Sequence, residues 1–391
     1  MPDAVVVDAV RTPIGTSFKG TLTETPPEQL ARVVVGASVE RSRLDPGLVD
    51  DIVLAEALYG GGDVARYSAL AAGLEHVPGQ AVNRHCAGSL TAVQVAAGSI
   101  RSGMDRAVIA GGTYSASLNP YQRQRVPGTA DEWTEPWMSP VNPEAPGATN
   151  DMTLTVGWNT AQEVGISREE MDRWALRSHM RAVAAQDAGA FDDEIVPVKA
   201  LQRDGSYVEF TTDEHPRRNT SAEKLAKLKP LHPEIEGFSI TAGNSSGIND
   251  AAAALTLVSS DLARAEGLAP LATVRAWANA ATAASRTGMA ALAAIDRLLN
   301  RAGVSASDIA LWEVNEAFAS VPVAACRQMK IDENRVNTSG SGCSLGHPIS
   351  ASGARMLTTL VHELRRSGGG LGVAAMCAAG GQGGALLVEV H

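Results

Sequence analysis

Aromatic residues make up only 4% of the 391-residue chain, and no apolar run approaches the roughly 18 residues that a membrane-crossing helix requires. Basic charge is also short: 33 Lys and Arg face 43 Asp and Glu, giving a formal charge of −10. A nucleic-acid surface needs a net basic face, so partners of that kind are not expected, and any anionic substrate must find a local basic patch. Cysteine is limited to Cys86, Cys326, Cys343 and Cys377, far apart and without a C-x-x-C pair. That spacing argues against a structural zinc site and against a secreted disulfide framework. The N-terminal MPDAVVVDAVRTP enters a strand at once, with no charged segment ahead of a long apolar one, so a secretion signal is not expected. A cytoplasmic protein with reduced thiols is the expectation.

What the chain has instead is small residues, with 38 Gly, 45% hydrophobic residues and 19% charged ones, the composition of an Ala/Gly-rich α/β enzyme. Its length predicts two or three packed units. Ala4 to Val10 is a nearly continuous apolar run, as in a strand buried on both faces. After Val82-Asn83-Arg84-His85-Cys86, the residues Leu90, Val93, Ala97 and Ile100 fall on one helical face, and Ala107 to Gly112 reads as the next strand. The C-terminal third repeats the pattern. It has a strand from Leu271 to Trp277, a helix around 290 to 302, a Gly/Ser-rich turn ending in His347, a helix from 351 to 366, and a strand from Gly372 that ends in Ala-Gly-Gly. The reading is two duplicated α/β halves, 1 to 118 (completed by 248 to 270) and 271 to 391. The segment 119 to 247, rich in Pro, Trp and Arg and carrying an amphipathic helix near 168 to 188, forms an inserted loop domain. A site between the halves is lined by turns at the C-terminal ends of strands.

Four positions in this frame could carry chemistry. Cys86 stands where a strand gives way to a helix, so its sulfur meets the positive end of the helix dipole, which favours a reactive thiol; a buried packing cysteine is the plainer alternative. His347, in the glycine-dense turn Gly340 to Pro348, is a candidate base for it, whereas His85 is a sequence neighbour poorly placed to reach the sulfur. Cys377 closes the second Gly-ended strand and suggests an acid/base partner. Asn315, in Asn315-Glu316-Ala317-Phe318, follows a strand and is expected to open a helix running to Met329. Its amide could serve a developing oxyanion or simply cap the helix.

Together Val82 to Cys86, Thr241 to Asp250, Asn315 to Phe318, Gly346-His347-Pro348 with Ser352-Gly353-Ala354-Arg355, and Cys377 before its glycine run closely resemble the thiolase family; Arg11-Thr12-Pro13-Ile14-Gly15 fits as well. The resemblance spans the chain in order. It implies the thiolase fold and an acyl-CoA C-acyltransferase of fatty acid and lipid metabolism, with acyl-CoA and CoA as substrates, no separate cofactor, no metal and a homodimer or homotetramer. It further implies that Cys86 takes the acyl group after His347 removes its proton, and that Cys377 moves a proton at the methyl carbon of acetyl-CoA. Asn315 and His347 would stabilise the enolate, and the backbone N–H groups of Cys86 and Ala379 would form a second oxyanion hole. Arg217 would lie near the nucleotide and Ser246 near the pantetheine arm, with Arg218, Lys224, Lys227 and Lys229 adding positive charge. Rival readings are a decarboxylating ketosynthase-like enzyme and a silent acyl-CoA-binding protein.

The departures from the pattern lie near the chemistry. The family's Gly-Ser-Gly or Ala-Ser-Gly after the nucleophile reads Ala87-Gly88-Ser89, and Ala379 replaces a glycine. Thr155-Val156 stands at a common His-Met pair, Gly340 to Ser344 at Gly-Gly-Ala-Ile-Ala, and Tyr114-Ser115-Ala116 at Glu-Ser-Met. An unusual acyl chain is the expectation that follows.

Overall fold

The computed structural model describes residues 1–57, 62–134, 145–147 and 149–391. The first half contributes β1 (Ala4–Arg11), α1 (Pro27–Arg41), β2 (Asp51–Ala55), β3 (Gly79–Val82), α2 (Gly88–Ser102), β4 (Ala107–Tyr114) and, after the insert, β5 (Asn249–Ser259). The second half contributes β6 (Ala272–Ala281), α4 (Ala290–Ala302), β7 (Ile309–Val314), α5 (Ser320–Met329), α6 (Ser352–Arg366), β8 (Gly370–Ala378) and β9 (Gln382–Val390). Between them α3 (Arg168–Asp187) begins with a capping box, in which Ser167 and Glu170 satisfy each other's free N–H groups.

These strands run β7-β8-β9-β6-β1-β5-β4-β2-β3 across one sheet. Pairing repeats outward from the centre. β1 to β5 and β5 to β4 are antiparallel, and β4 to β2 and β2 to β3 are parallel. β6 to β9 and β9 to β8 are antiparallel and β8 to β7 is parallel, with a lone parallel bridge from Trp312 to Val336 where the first half has β3. The halves join through two residue pairs, Val5 with Thr273 and Val6 with Ala272.

Alternation along the strands sorts the core into layers. Val6, Ala9, Val53, Val108 and Leu255 from one half-sheet, and Ala374, Met376, Leu386 and Val388 from the other, share a core with Leu90, Val93, Ala97 and Ile100 of α2 and Leu357, Leu360 and Val361 of α6. The two helices therefore lie between the half-sheets. The opposite faces are covered by α1, through Leu30, Val34 and Val35, and by α4, through Leu292, Ile295 and Leu298. At the central helix contact, a Cβ on Gly353 would come within 2.7 Å of the Leu90 nitrogen, so only glycine permits this approach.

One expected element differs. The helix begins at Ser320, not at Asn315. The intervening backbone groups are committed elsewhere: Asn315 N–H donates to the Ala375 carbonyl, Ser246 N–H to Ala317 and Ala319 N–H to Asn244. Pro322, which lacks an N–H, suits the first turn of the shorter helix. Within 119 to 247, residues 135–144 and 148 lie outside the described set; the rest holds α3 and two short strand pairs, Gln124–Arg125 with Trp133–Thr134 and Val198–Leu201 with Tyr207–Phe210. A fully buried ion triad ties this segment to β1. Arg11 Nε donates to Glu194 at 2.5 Å, and its Nη1 and Nη2 donate to Asp213 at 2.7 and 2.9 Å. No helix among the described residues is long and apolar enough to cross a membrane.

Candidate active site

Cys86 sits in a single turn, His85–Ala87, between β3 and α2. His85 there has φ +44°, and its N–H donates to Asn83 Oδ1 at 2.9 Å. Cys86 lines a cleft of about 700 Å³, whereas His85 does not, which removes His85 as a base. The thiol rests protonated, despite its place before a helix. Burial pushes it up to about 11, and the amide N–H groups of Cys86 and Ala379, which face the sulfur, oppose this only in part. Two donors do not replace lost hydration, so the proton must be removed when the thiol reacts.

His347 supplies the means. Gly346 holds φ +106°, and a Cβ there would fall 2.2 Å from Asn249 Oδ1, the oxygen that accepts the His347 N–H at 3.1 Å. His347 Nδ1 lies 2.6 Å from Ser352 Oγ, whose hydroxyl donates to the Pro348 carbonyl at 2.9 Å. With that hydroxyl proton committed, Nδ1 carries the ring proton and donates to Ser352, leaving the Nε2 lone pair free. Nε2 is buried and has no hydrogen-bond partner among the described residues. Burial, assisted by Arg355, lowers His347 to about 4, so the imidazole rests neutral. Arg355 is itself buried against Glu313 at 3.1 Å and donates to Ser341 at 2.8 Å; burial raises Glu313 to about 8.

Cys377 and Ala379 line the same cleft from the end of β8. Burial, then the proximity of Cys86, pushes the Cys377 thiol well above its ordinary range, so it rests protonated. Asn315 lies outside the cleft wall and behind His347, with Nδ2 3.4 Å from Nδ1 and Oδ1 unpartnered. Two donors facing each other favour turning the amide over, which presents Oδ1 to the Nδ1 proton.

Arg217 and Ser246 line the same cleft with Leu225, Leu231, Gly243 and Gly247. The basic stretch contributes less than the sequence suggests. Arg218 forms a two-pronged pair with Asp187 at 2.8 and 2.6 Å, Lys224 donates to the Asn219 carbonyl, and Lys227 and Lys229 are outside the cleft wall. Its helix is only Ala222–Ala226.

Several residues escaped the sequence reading. Ser352 was visible only as part of a motif, although its place five residues after His347 allows the contact. Glu316 accepts from Trp174 Nε1, Ser178, Asn337 and the Cys343 amide at 2.6 to 3.0 Å, fastening the 315–319 turn to the loop that carries His347. Tyr114, Met152, Val156, Phe318, Cys343 and Ile349 complete the wall around the nucleophile. Among the described residues, no three or more His, Cys, Asp and Glu side chains are grouped so as to hold a metal ion.

Comparison with known proteins bears on the chain as a whole. The thiolase N-terminal domain model matches residues 4–261 and the thiolase C-terminal domain model residues 268–390. An acetyl-CoA acetyltransferase of Cupriavidus necator is 39% identical, with all of both chains covered. A beta-ketoadipyl-CoA thiolase of Pseudomonas aeruginosa is 40% identical over 99% of each chain. The crystal structure of the Bacillus anthracis acetyl-CoA acetyltransferase superposes with a TM-score of 0.92 at 37% identity, covering 100% of this chain and 99% of that one. With both halves matched in order and relatives aligned end to end, the chain belongs to the thiolase family.

Proposed function

We propose that this thiolase exchanges acyl groups between coenzyme A thioesters through an acyl-enzyme on Cys86, cleaving 3-oxoacyl-CoA with CoA or condensing an acyl group with acetyl-CoA. The observation that carries the reading is that Cys86, His347, Cys377 and Ala379 line one cleft, although they come from opposite halves of the chain. His347 Nε2 takes the Cys86 proton as the sulfur attacks the substrate carbonyl, and the N–H groups of Cys86 and Ala379 receive the developing oxyanion. In cleavage the C–C bond breaks, and the departing enolate takes the Cys377 proton to become acetyl-CoA. Cys377 takes the proton of the CoA thiol as that sulfur attacks the acyl group, and Cys86 leaves with the proton returned by His347. Condensation reverses these steps: the departing CoA sulfur takes the Cys377 proton, and the Cys377 thiolate left behind removes the methyl proton. His347 stabilises the enolate, with Asn315 backing the Nδ1 side of its ring. Base, acid and oxyanion donors suffice for both half-reactions, so the only CoA requirement is as substrate. Arg217 and Ser246 hold its nucleotide and pantetheine ends.

The same reading takes the protein as a cytoplasmic homodimer or homotetramer. The four unpaired thiols and the open outer edge of β3, a surface suited to strand pairing between copies, support it. Incubation with acetyl-CoA followed by peptide mass spectrometry should place an acetyl group on Cys86, and none on Cys86→Ser protein. Cys377→Ser protein should still acylate yet fail to condense. Unimpaired condensation by that variant overturns the role given to Cys377.

A further inference from the structure

Tyr114 closes β4 with 7% of its surface exposed, and that surface borders the cleft beside Cys86. The loop after His347 lies against the same strand end: Ser350 Oγ donates to the Thr113 carbonyl at 2.6 Å, and a Cβ on Gly112 would fall 2.2 Å from the Ser350 carbonyl oxygen. Tyr114 thereby shares the cleft wall with the nucleophile and the base. Among the described residues none hydrogen-bonds its hydroxyl, whereas three other cleft hydroxyls are committed: Ser17 to Asp250 at 2.6 Å, Thr153 to Asp151 at 2.6 Å and Ser245 to the Thr241 carbonyl at 2.6 Å. Burial, with Cys86 and Asp250 nearby, raises the phenol to about 12, so it remains a donor at working pH. Much of the surrounding wall, Met152, Val156, Phe318 and Ile349, is apolar, with the Met152 thioether its one weak acceptor side chain.

A hydroxyl that opens on the cleft without a protein partner is free to meet an acceptor on a bound substrate. An acetyl group has only its thioester oxygen, which the N–H groups of Cys86 and Ala379 already receive. We infer that Tyr114 is a specificity residue whose hydroxyl reads an oxygen carried on the acyl chain itself, so that the preferred acyl groups are oxygen-bearing. This rests on the acyl-enzyme reading above. It also assigns a role to the place where the chain departs from its family's Glu-Ser-Met, and a site that hydrogen-bonds a substrate group discriminates strongly against its absence.

The test compares three four-carbon donors, succinyl-CoA, 4-hydroxybutanoyl-CoA and butanoyl-CoA, by the rate at which each acylates Cys86, followed by mass spectrometry. Wild type should favour at least one oxygen-bearing donor over butanoyl-CoA, and Tyr114→Phe should reduce that ratio about tenfold, as should Tyr114→Leu. Because the readout is a ratio within one variant, any general loss of folded enzyme cancels. A ratio unchanged in Tyr114→Phe, whether both rates hold or both fall together, overturns the inference, as does wild type that prefers butanoyl-CoA. Absence of any Cys86 adduct in wild type overturns the acyl-enzyme reading instead.

Discussion

Replacing Ser352 with alanine probes how His347 is made a base. The hydroxyl at 2.6 Å accepts the Nδ1 proton while its own proton is held by the Pro348 carbonyl, and this pair of bonds keeps the Nε2 lone pair toward the cleft. Alanine leaves a buried ring N–H without its acceptor, and the same acceptor is most needed as the ring becomes charged in the acylation step. Loss of such a bond costs about 1–3 kcal/mol, which converts to roughly 5- to 150-fold in rate. The assay is rapid quenching after mixing with acetyl-CoA, with acylated Cys86 counted by mass. Ser352→Thr keeps the hydroxyl and should recover most of the rate, which separates positioning of the ring from general damage to the start of α6. The acid limb of the rate should also move to lower pH in the alanine variant, because the imidazolium loses a stabilising acceptor. Sign matters for the conditions. His347 sits at about 4 against an ordinary 6.5, so unfolding takes up a proton between those values, and its share of stability is lost as pH falls through that window. Rates are therefore compared above about pH 6.5. Acylation by Ser352→Ala within about twofold of wild type refutes the reasoning.

The high resting position of Cys86 predicts that alkylation of free enzyme by iodoacetamide rises about tenfold per pH unit from neutrality upward, following the thiolate fraction; a plateau near neutral pH would reveal a standing ion pair with His347. Arg11→Met should lower stability by about 3–5 kcal/mol in urea unfolding, because Glu194 and Asp213 are left as buried carboxylates without their counter-charge. An unchanged unfolding midpoint at neutral pH counts against the triad as a brace.

Much of the frame was legible because burial on both faces writes itself as uninterrupted small apolar residues. β1, β4 and β8 read as strands for this reason, and α2 and α6 were visible from helical spacing. Cys86, His347 and Cys377 stood out because each occupies a turn whose glycines or strand ends allow close approach. What stayed hidden depended on three-dimensional neighbours. The 315–319 segment has the residues of a helix start, yet its backbone bonds are taken by β8 and by residues 244 to 246. The protonation state of Cys86 also could not be read, since local position gives the helix end but not how much water the fold removes. Arg218 looked like part of an anion site until Asp187, 31 positions earlier, was found to hold it. Tyr114 showed only as a departure from pattern, and its free hydroxyl emerged from the company it keeps.

The strand order also constrains how the molecule is made. Both strand partners of β1, β5 and β6, lie beyond residue 248, so apart from the bridge of Arg11 to Ile195 the valine-rich start of the chain waits for its sheet neighbours until well over half of the polypeptide has left the ribosome. Throughout that interval a sticky N-terminal ribbon carries two open hydrogen-bonding edges, and synthesis is the stage at which this protein most needs shelter from its own copies.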